Sequence, residues 1–229
     1  MSPFFVAVLS VNIDMQYDFI DPDGNYDLLY PYVKDKSLRR VIDIGAWWGP
    51  WSLWWHDKVQ HIEIFEPNQQ IISKLKNNIK DLPNCTLHET ALGDKSGKVS
   101  MDYVSHTGTY HIKDTNGSIS LKTLDQYNFE SVDIIKIDAE GHEYKILQGS
   151  KKFLSRDLNI TVQLEINAKN EIAINNDNSN MSIKLLKELG YLPITLINSK
   201  FKILSDDEIK KIIINKNAHE LYFTNKKFI

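Results

Sequence analysis

The sequence predicts an α/β protein, an open and mostly parallel sheet with helices on both faces. Three observations predict it. Short apolar runs at residues 41–44, 62–65 and 132–137 have the length and continuity of strands covered on both sides. Between them lie segments with apolar residues at helical spacing, as at Ile71, Ile72, Leu75 and Ile79. Strands and helices alternate at the distance of right-handed crossovers.

The bulk numbers set bounds. The chain has 229 residues, 42% of them hydrophobic, enough for one substantial core. Its formal charge of -3 offers no field of one sign, so nothing in the composition supports a nucleic-acid partner or a membrane surface. The lone Cys85 rules out a disulfide within the chain, and a cytoplasmic home is expected. No apolar run approaches the roughly 20 residues of a membrane span. Residues 3–11 are apolar but lack the basic flank and the small-residue cleavage site of a secretion signal. They read as an extra strand or a strip packed across the main domain. Residues 1–32 are expected to be an extension, and 33–229 one domain with a hairpin insertion near 97–112.

The elements follow in order. Residues 14–32, rich in Asp, Tyr, Gly and Pro, read as an irregular leader, and 33–38 as a short helix. Strand 41–44 is followed by a helix from Trp51 to Lys58, strand 62–65 by a helix over 68–80. A third strand, 85–92, ends at Gly93-Asp94. Residues 98–104 alternate, and 106–112 contain Gly108, which suits an antiparallel hairpin. A short helix is expected over 120–127, a central strand over 132–137, a helix over 143–154 and a strand over 160–166. The Asn-rich stretch 167–180 reads as a solvated loop or a fraying helix start. A helix over 181–189 stops at Gly190, strands cover 191–197 and 219–224, and Asp206-Asp207-Glu208 begins a helix with acids in its first turn.

The most informative stretch runs from Arg39 to Pro67. A strand ends in Asp43, a turn follows with Gly45 and Gly49, and the next strand ends in Glu66. Open sheets place ligands at such carboxyl ends. Glycine at 45 keeps the turn clear of a ligand, and glycine at 49 allows close packing of the next helix. A carboxylate at Glu66 can accept from both hydroxyls of a ribose. The segment G-A-W-W-G lacks the middle glycine that admits a pyrophosphate, and no G-K-[ST] follows. A cofactor with a ribose but no phosphate fits better, and S-adenosylmethionine is such a molecule. Its cationic sulfonium favours nearby carboxylates and aromatic faces.

Asp43-Ile44-Gly45-Ala46 with Gly49 and Ser52, then Phe65-Glu66-Pro67, Ala91-Leu92-Gly93-Asp94 and Lys136-Ile137-Asp138-Ala139-Glu140-Gly141-His142-Glu143, resemble the FkbM-type family of S-adenosylmethionine-dependent methyltransferases. The last segment is the most distinctive, and the likeness covers roughly residues 41–166. The resemblance implies a class I methyltransferase (Rossmann-like) fold with a seven-stranded sheet whose last strand is antiparallel. It also implies methyl transfer to an oxygen, usually of a sugar or natural product. By that likeness Asp43, Gly45 and Gly49 flank the methionine part of the cofactor, Glu66 holds the ribose, and the region of Glu89 to Leu92 borders the adenine. Ala46, Trp47, Pro67, Ala91 and Asp138 complete the expected cofactor-binding set. The family often has Asn two residues after the first glycine; here Trp47 stands there, followed by Trp48, so a ring narrows or lines the site.

Asp138, Glu140, His142 and Glu143 crowd one strand end, which is costly unless they are solvated, paired or used. Methyl transfer to a hydroxyl needs alignment and removal of a proton. Either His142 or Asp138 takes that proton while Glu140 orients the acceptor; Glu165, on the same rim, binds sugar hydroxyls. Asp138, Glu165 and Asn167 can instead hold a divalent cation, though hydroxyl-binding sites use the same side chains. Glu143 reads equally as a helix-start acid, and His142 as a turn residue. All five tryptophans fall between residues 47 and 55. Trp51 and Trp55 suit the core; Trp47 and Trp48 suit the pocket. Tyr103, His106, Tyr110 and His111 form either an acceptor lid or a solvated hairpin. The expected acceptor is a small molecule or glycan, and the chain a monomer or homodimer. The alternatives are an N-methyltransferase for a peptide or small amine, and a non-catalytic scaffold.

Overall fold

A computed structural model describes residue 29 and residues 37–104, 109–113, 117–156, 159–166, 177–197, 200–214 and 219–225. The expected leader, the short helix over 33–38 before Leu38, His106 and the loop from Asn167 to residue 176 lie outside the described residues.

Among the described residues the main sheet has eight strands. In chain order they are β1 (Leu38–Ile44), β2 (Val59–Phe65), β3 (Cys85–His88), β8 (Val132–Ile137), β9 (Thr161–Ile166), β10 (Leu192–Ile197), β11 (Lys200–Ile203) and β12 (His219–Thr224). A second sheet joins β4 (Ala91–Leu92), β5 (Gly97–Val104), β6 (Thr109–Lys113) and β7 (Ile119–Lys122). The helices are α1 (Pro50–Trp55), α2 (Gln69–Ile79), α3 (Glu143–Gln148), α4 (Lys151–Arg156), α5 (Asn178–Glu188) and α6 (Asp206–Ile214). The main sheet runs β11-β10-β12-β9-β8-β1-β2-β3. β1 pairs in parallel with β2 and β8, β2 with β3, and β8 with β9. β12 enters antiparallel between β9 and β10, as expected of the last strand. The order reverses between β1 and β8, and a crevice opens beyond their carboxyl ends.

Two apolar clusters cover the sheet. One gathers Ile42, Ile135, Leu147, Phe153, Leu164 and Leu186. The other gathers Val41, Ile62, Ile64, Leu75, Trp51 and Trp55, with both indoles fully buried. Alternation along β1 explains the division, since successive residues point to opposite faces.

Several expectations need correction. The sheet has one strand more than seven, because β11 adds to β10 by antiparallel pairing of Ile194 with Ile203 and Leu196 with Phe201. The stretch expected as a helix over 120–127 is strand β7 followed by a 3-10 turn at Leu124–Gln126. Pairing of Leu121 with both Gly97 and Ala91 commits it to the second sheet. The strand expected over 85–92 divides into β3 and β4, and the latter belongs to the second sheet. The helix expected over 143–154 breaks into α3 and α4 at Gly149. A Cβ on Gly149 would lie 1.9 Å from the Gly93 carbonyl oxygen, so two backbones meet where a helix would otherwise continue.

The chain's three arginines gather at the amino-terminal end of this sheet. Arg39 donates to Ser131 Oγ (2.8 Å) and Arg40 to the Glu130 carbonyl (2.7 Å). Arg156 donates to Asn128 Oδ1 (3.2 Å) and to the Phe129 carbonyl. Together they grip the segment leading into β8. Among the described residues no helix is long and apolar enough to cross a membrane.

Candidate active site

The tips of four strand-end segments are laced by backbone hydrogen bonds. Gly45 N and Ala46 N donate to the Phe65 carbonyl (3.0 and 3.3 Å), Glu66 N to that of His88 (3.2 Å) and Asp138 N to that of Ile44 (3.1 Å). Gly45 has φ +77°, and a Cβ on it would lie 1.8 Å from the Asp138 carbonyl oxygen. Glycine is therefore required twice there, for its backbone and for the contact between two turns. At Gly49 (φ +95°) a Cβ would lie 2.8 Å from Leu75 Cδ1, so this glycine brings the α1 turn against α2.

Glu66 stands just past β2 and is 5% exposed. Its Oε2 accepts from Trp47 N (2.7 Å) and its Oε1 from Asn68 N (2.8 Å). Each oxygen keeps acceptor capacity after that single bond. Burial pushes the carboxyl up to about 7, against the two backbone hydrogen bonds, which lower it. Asn68 also caps α2 through Gln70 N (3.0 Å). Sequence reasoning missed Asn68, although an Asn just before a periodic helix is the usual cap signal.

Asp43 lies elsewhere than expected. It is fully buried, accepts from Ser52 Oγ (2.7 Å) and sits 3.5 Å from Lys136 Nζ. The same ammonium group is 3.0 Å from Asp138 Oδ2 and donates to the Gly45 carbonyl (3.3 Å). Lys136, 5% exposed, thus ties the first turn to the second, and Asp43 anchors that tie from below.

The second turn runs from Asp138 to Gly141. Glu140 takes the left-handed conformation (φ 52°) and Gly141 follows at φ 94°. Glu140 Oε2 is buried, with no hydrogen-bond partner among the described residues. Its carboxyl is pushed up to about 7 by burial first, then by the charges of Asp138 and Glu143. Glu165 is raised well above the usual carboxylate range, again by burial and then by Asp138, with which it shares a hydrogen bond. Glu143 is 2% exposed, and burial raises it too.

Between the two turns lies a cavity of about 350 Å³, within the usual size of a small-molecule site. Of the expected site residues, Gly45, Trp47, Glu66, Pro67, Ala91, Asp138 and Glu140 line it. Asp43, Ala46, Gly49, Glu89, His142 and Glu165 do not. Ala46 packs in the core with Trp51, and Gly49 caps α1. Glu89 is turned to Lys76 (2.6 Å) on the surface. His142 is 7% exposed; its Nε2 lies 3.1 Å from where a Gly93 Cβ would be, so the imidazole faces the turn after β4. Glu165 stands behind Asp138, in touch with the site through that carboxylate. Trp47, 57% exposed, stands at the rim, whereas Trp48 is buried and absent from the lining. Sequence reasoning also missed Met101 and Ile112, a cross-strand pair of β5 and β6 that forms one wall. The hairpin was legible, but not which of its faces meets the cavity. Among the described residues no group of three or more His, Cys, Asp or Glu side chains is placed to hold a metal ion.

An open sheet reversed at β1 and β8, with a nucleoside-sized cavity at that switch, is the class I methyltransferase architecture. The chain belongs to the FkbM methyltransferase family, whose domain profile matches residues 43–193. The hexuronic acid methyltransferase AglP of Haloferax volcanii is 27% identical over 139 residues, covering 56% of this chain and 57% of that protein. The crystal structure of a methyltransferase FkbM from Methylobacillus flagellatus superposes with a TM-score of 0.50 at 16% identity, over 80% of this chain and 43% of that one. A methyltransferase of Streptococcus mutans, solved in complex with SAH, gives 0.50 at 13% identity, over 94% and 98%. At these identities the two structures show a shared fold. The chain spans little more than half the length of the curated relative.

Proposed function

We propose that the cavity binds S-adenosylmethionine and that the chain transfers its methyl group to a hydroxyl oxygen of a sugar or glycan. The observation that carries this is Glu66. Its two oxygens each hold one backbone N–H at the cavity wall and keep lone pairs for two vicinal hydroxyls. The residues present fit the cofactor in other respects. Pro67 and Ala91 form an apolar wall suited to a purine, and Trp47, Asp138 and Glu140 offer a ring face and carboxylates to a cation. When bound, the cofactor supplies a methyl group on a sulfonium, already a strong electrophile. The protein has then to orient the acceptor and remove its proton.

Glu140 is best placed for the proton. It lines the cavity, has an oxygen with no partner among the described residues, and is held at about 7, where a base works near neutral pH. Asp138, ion-paired with Lys136 (3.0 Å), orients the hydroxyl. Of the two expected bases, His142 does not line the cavity and Asp138 is ion-paired with Lys136, which favours Glu140 for the proton. A saccharide acceptor agrees with the hexuronic acid named for the Haloferax relative.

The test is release of S-adenosylhomocysteine on incubation with S-adenosylmethionine and a panel of neutral, amino and uronic pyranosides, peptides and amines. Turnover is expected with a pyranoside. With Glu140→Gln, the rate at pH 7.5 is expected to fall at least about 100-fold. Turnover with amines or peptides alone overturns the hydroxyl acceptor, and an unchanged rate in Glu140→Gln overturns its role as base.

A further inference from the structure

Glu143 does not behave as an ordinary first-turn acid of a helix. Its Oε1 accepts from Ala139 N (2.8 Å) and Gly141 N (3.1 Å), both before the helix begins. Its Oε2 accepts from Asn178 Nδ2 (2.5 Å) at the start of α5. Asn178 in turn accepts from Tyr144 N through Oδ1 (2.7 Å), which fixes the orientation of its amide. Both side chains are 2% exposed. The residue between the two captured amides is Glu140, in its left-handed conformation. Two N–H groups drawn to one oxygen pin the peptide unit between Asp138 and Ala139 and the one between Glu140 and Gly141, and the contact of Gly45 with Asp138 closes the other side of the turn.

We infer that Glu143 and Asn178 are positioning residues, a buried carboxylate–amide pair that sets the 138–141 turn so that Asp138 and Glu140 present their carboxyls to the cavity. The inference rests on the proposed cofactor reading. Neither residue lines the cavity, so both act through the turn. The hydrogen-bond polarity is directional. In Glu143→Gln an NH2 group faces the Asn178 NH2, and in Asn178→Asp two carboxyls face each other. Exchanging the two, Glu143→Gln with Asn178→Asp, restores a donor opposite an acceptor at every bond of the set.

Calorimetry with two cofactor analogues separates positioning from folding. S-adenosylhomocysteine has a neutral sulfur where sinefungin carries an ammonium group. The ratio of their affinities therefore reports how Asp138 and Glu140 face that point. Each single variant is expected to cut the preference for sinefungin about tenfold while S-adenosylhomocysteine stays within about threefold. The exchange variant is expected to recover the wild-type ratio and thermal midpoint. Equal weakening of both ligands in the single variants, or no change, overturns the positioning role. So does an exchange variant that folds but keeps the altered ratio, or that fails to fold. If neither ligand binds the wild-type chain, the cofactor reading itself fails.

Discussion

The proposed hold of Glu66 on a ribose has a measurable pH signature. Glu66 accepts hydroxyl hydrogens with full strength only when ionised, and burial holds its carboxyl at about 7 rather than 4.5. Sustaining the charge there costs about 3 kcal/mol relative to water. With a group at 7, about one molecule in eleven is ionised at pH 6 and about ten in eleven at pH 8. A ligand that requires the ionised form therefore binds about tenfold more tightly at pH 8 than at pH 6. The suitable probe is 5′-methylthioadenosine, which carries the adenine, ribose and thioether but nothing that titrates in this range. Calorimetry in buffers of different ionisation enthalpy also counts the proton released, expected to approach one at pH 6. In Glu66→Gln one acceptor becomes a donor that confronts the Trp47 or Asn68 N–H, and affinity at pH 8 is expected to fall by about tenfold or more. The remaining binding is then independent of pH. A wild-type affinity that is flat from pH 6 to 8, or a variant that keeps the slope, refutes the assignment of the ribose to Glu66.

Further outcomes follow from the same geometry. Gly45→Ala drives a Cβ to 1.8 Å from the Asp138 carbonyl oxygen at a positive φ, and urea unfolding is expected to show a loss above about 2 kcal/mol. Wild-type stability there would mean that the two turns do not touch. Lys136→Met strands the fully buried Asp43 with Ser52 and costs about 3 kcal/mol or more; adding Asp43→Asn is expected to restore part of it, and failure to do so would divide the pair. Glu66, Glu140 and Glu220 are all raised to about 7, chiefly by burial. Between 4.5 and 7 the folded chain keeps protons that the unfolded chain has released, so stability present below pH 4.5 from these groups is lost as pH climbs through 7. Urea midpoints at pH 5.5 and 8 are expected to differ by several kcal/mol in ΔG, about 3 or more, with the higher pH less stable. A rise instead would show these carboxyls to be charged in the folded state well below 7.

The parts of this molecule legible in its sequence are those that depend on local periodicity. The runs ending at Ile44, Phe65 and Ile137 announce parallel strands, and the stripe through Ile72, Leu75 and Ile79 announces α2, whose buried residues are those three. The turn at Gly45 and the acid at Glu66 were legible too, since strand ends in such sheets have few uses. What the sequence concealed depends on neighbours far along the chain. β11 is a four-residue edge strand that exists through its pairing with β10. Residues 119–122 alternate weakly and become a strand because β4 and β5 flank them. The inward turn of Asp43 needed Ser52 and Lys136 to arrive beneath it, and the packing of His142 against the turn after β4 needed Gly93. Trp51 Nε1 meets Gln163 (3.0 Å) across 112 residues, a pairing no local pattern encodes.

The placement of the arginines divides the molecule in two. All three guanidinium groups are spent at the amino-terminal end of the sheet, pinning residues 128–131, while the opposite end relies on a lysine, carboxyls and glycine-rich bends. The clamped end contributes no residue to the lining of the cavity. The hairpin of the second sheet supplies Met101 and Ile112 to the cavity wall, so a redesign of what the cavity holds should randomise that hairpin and leave the segment entering β8 untouched.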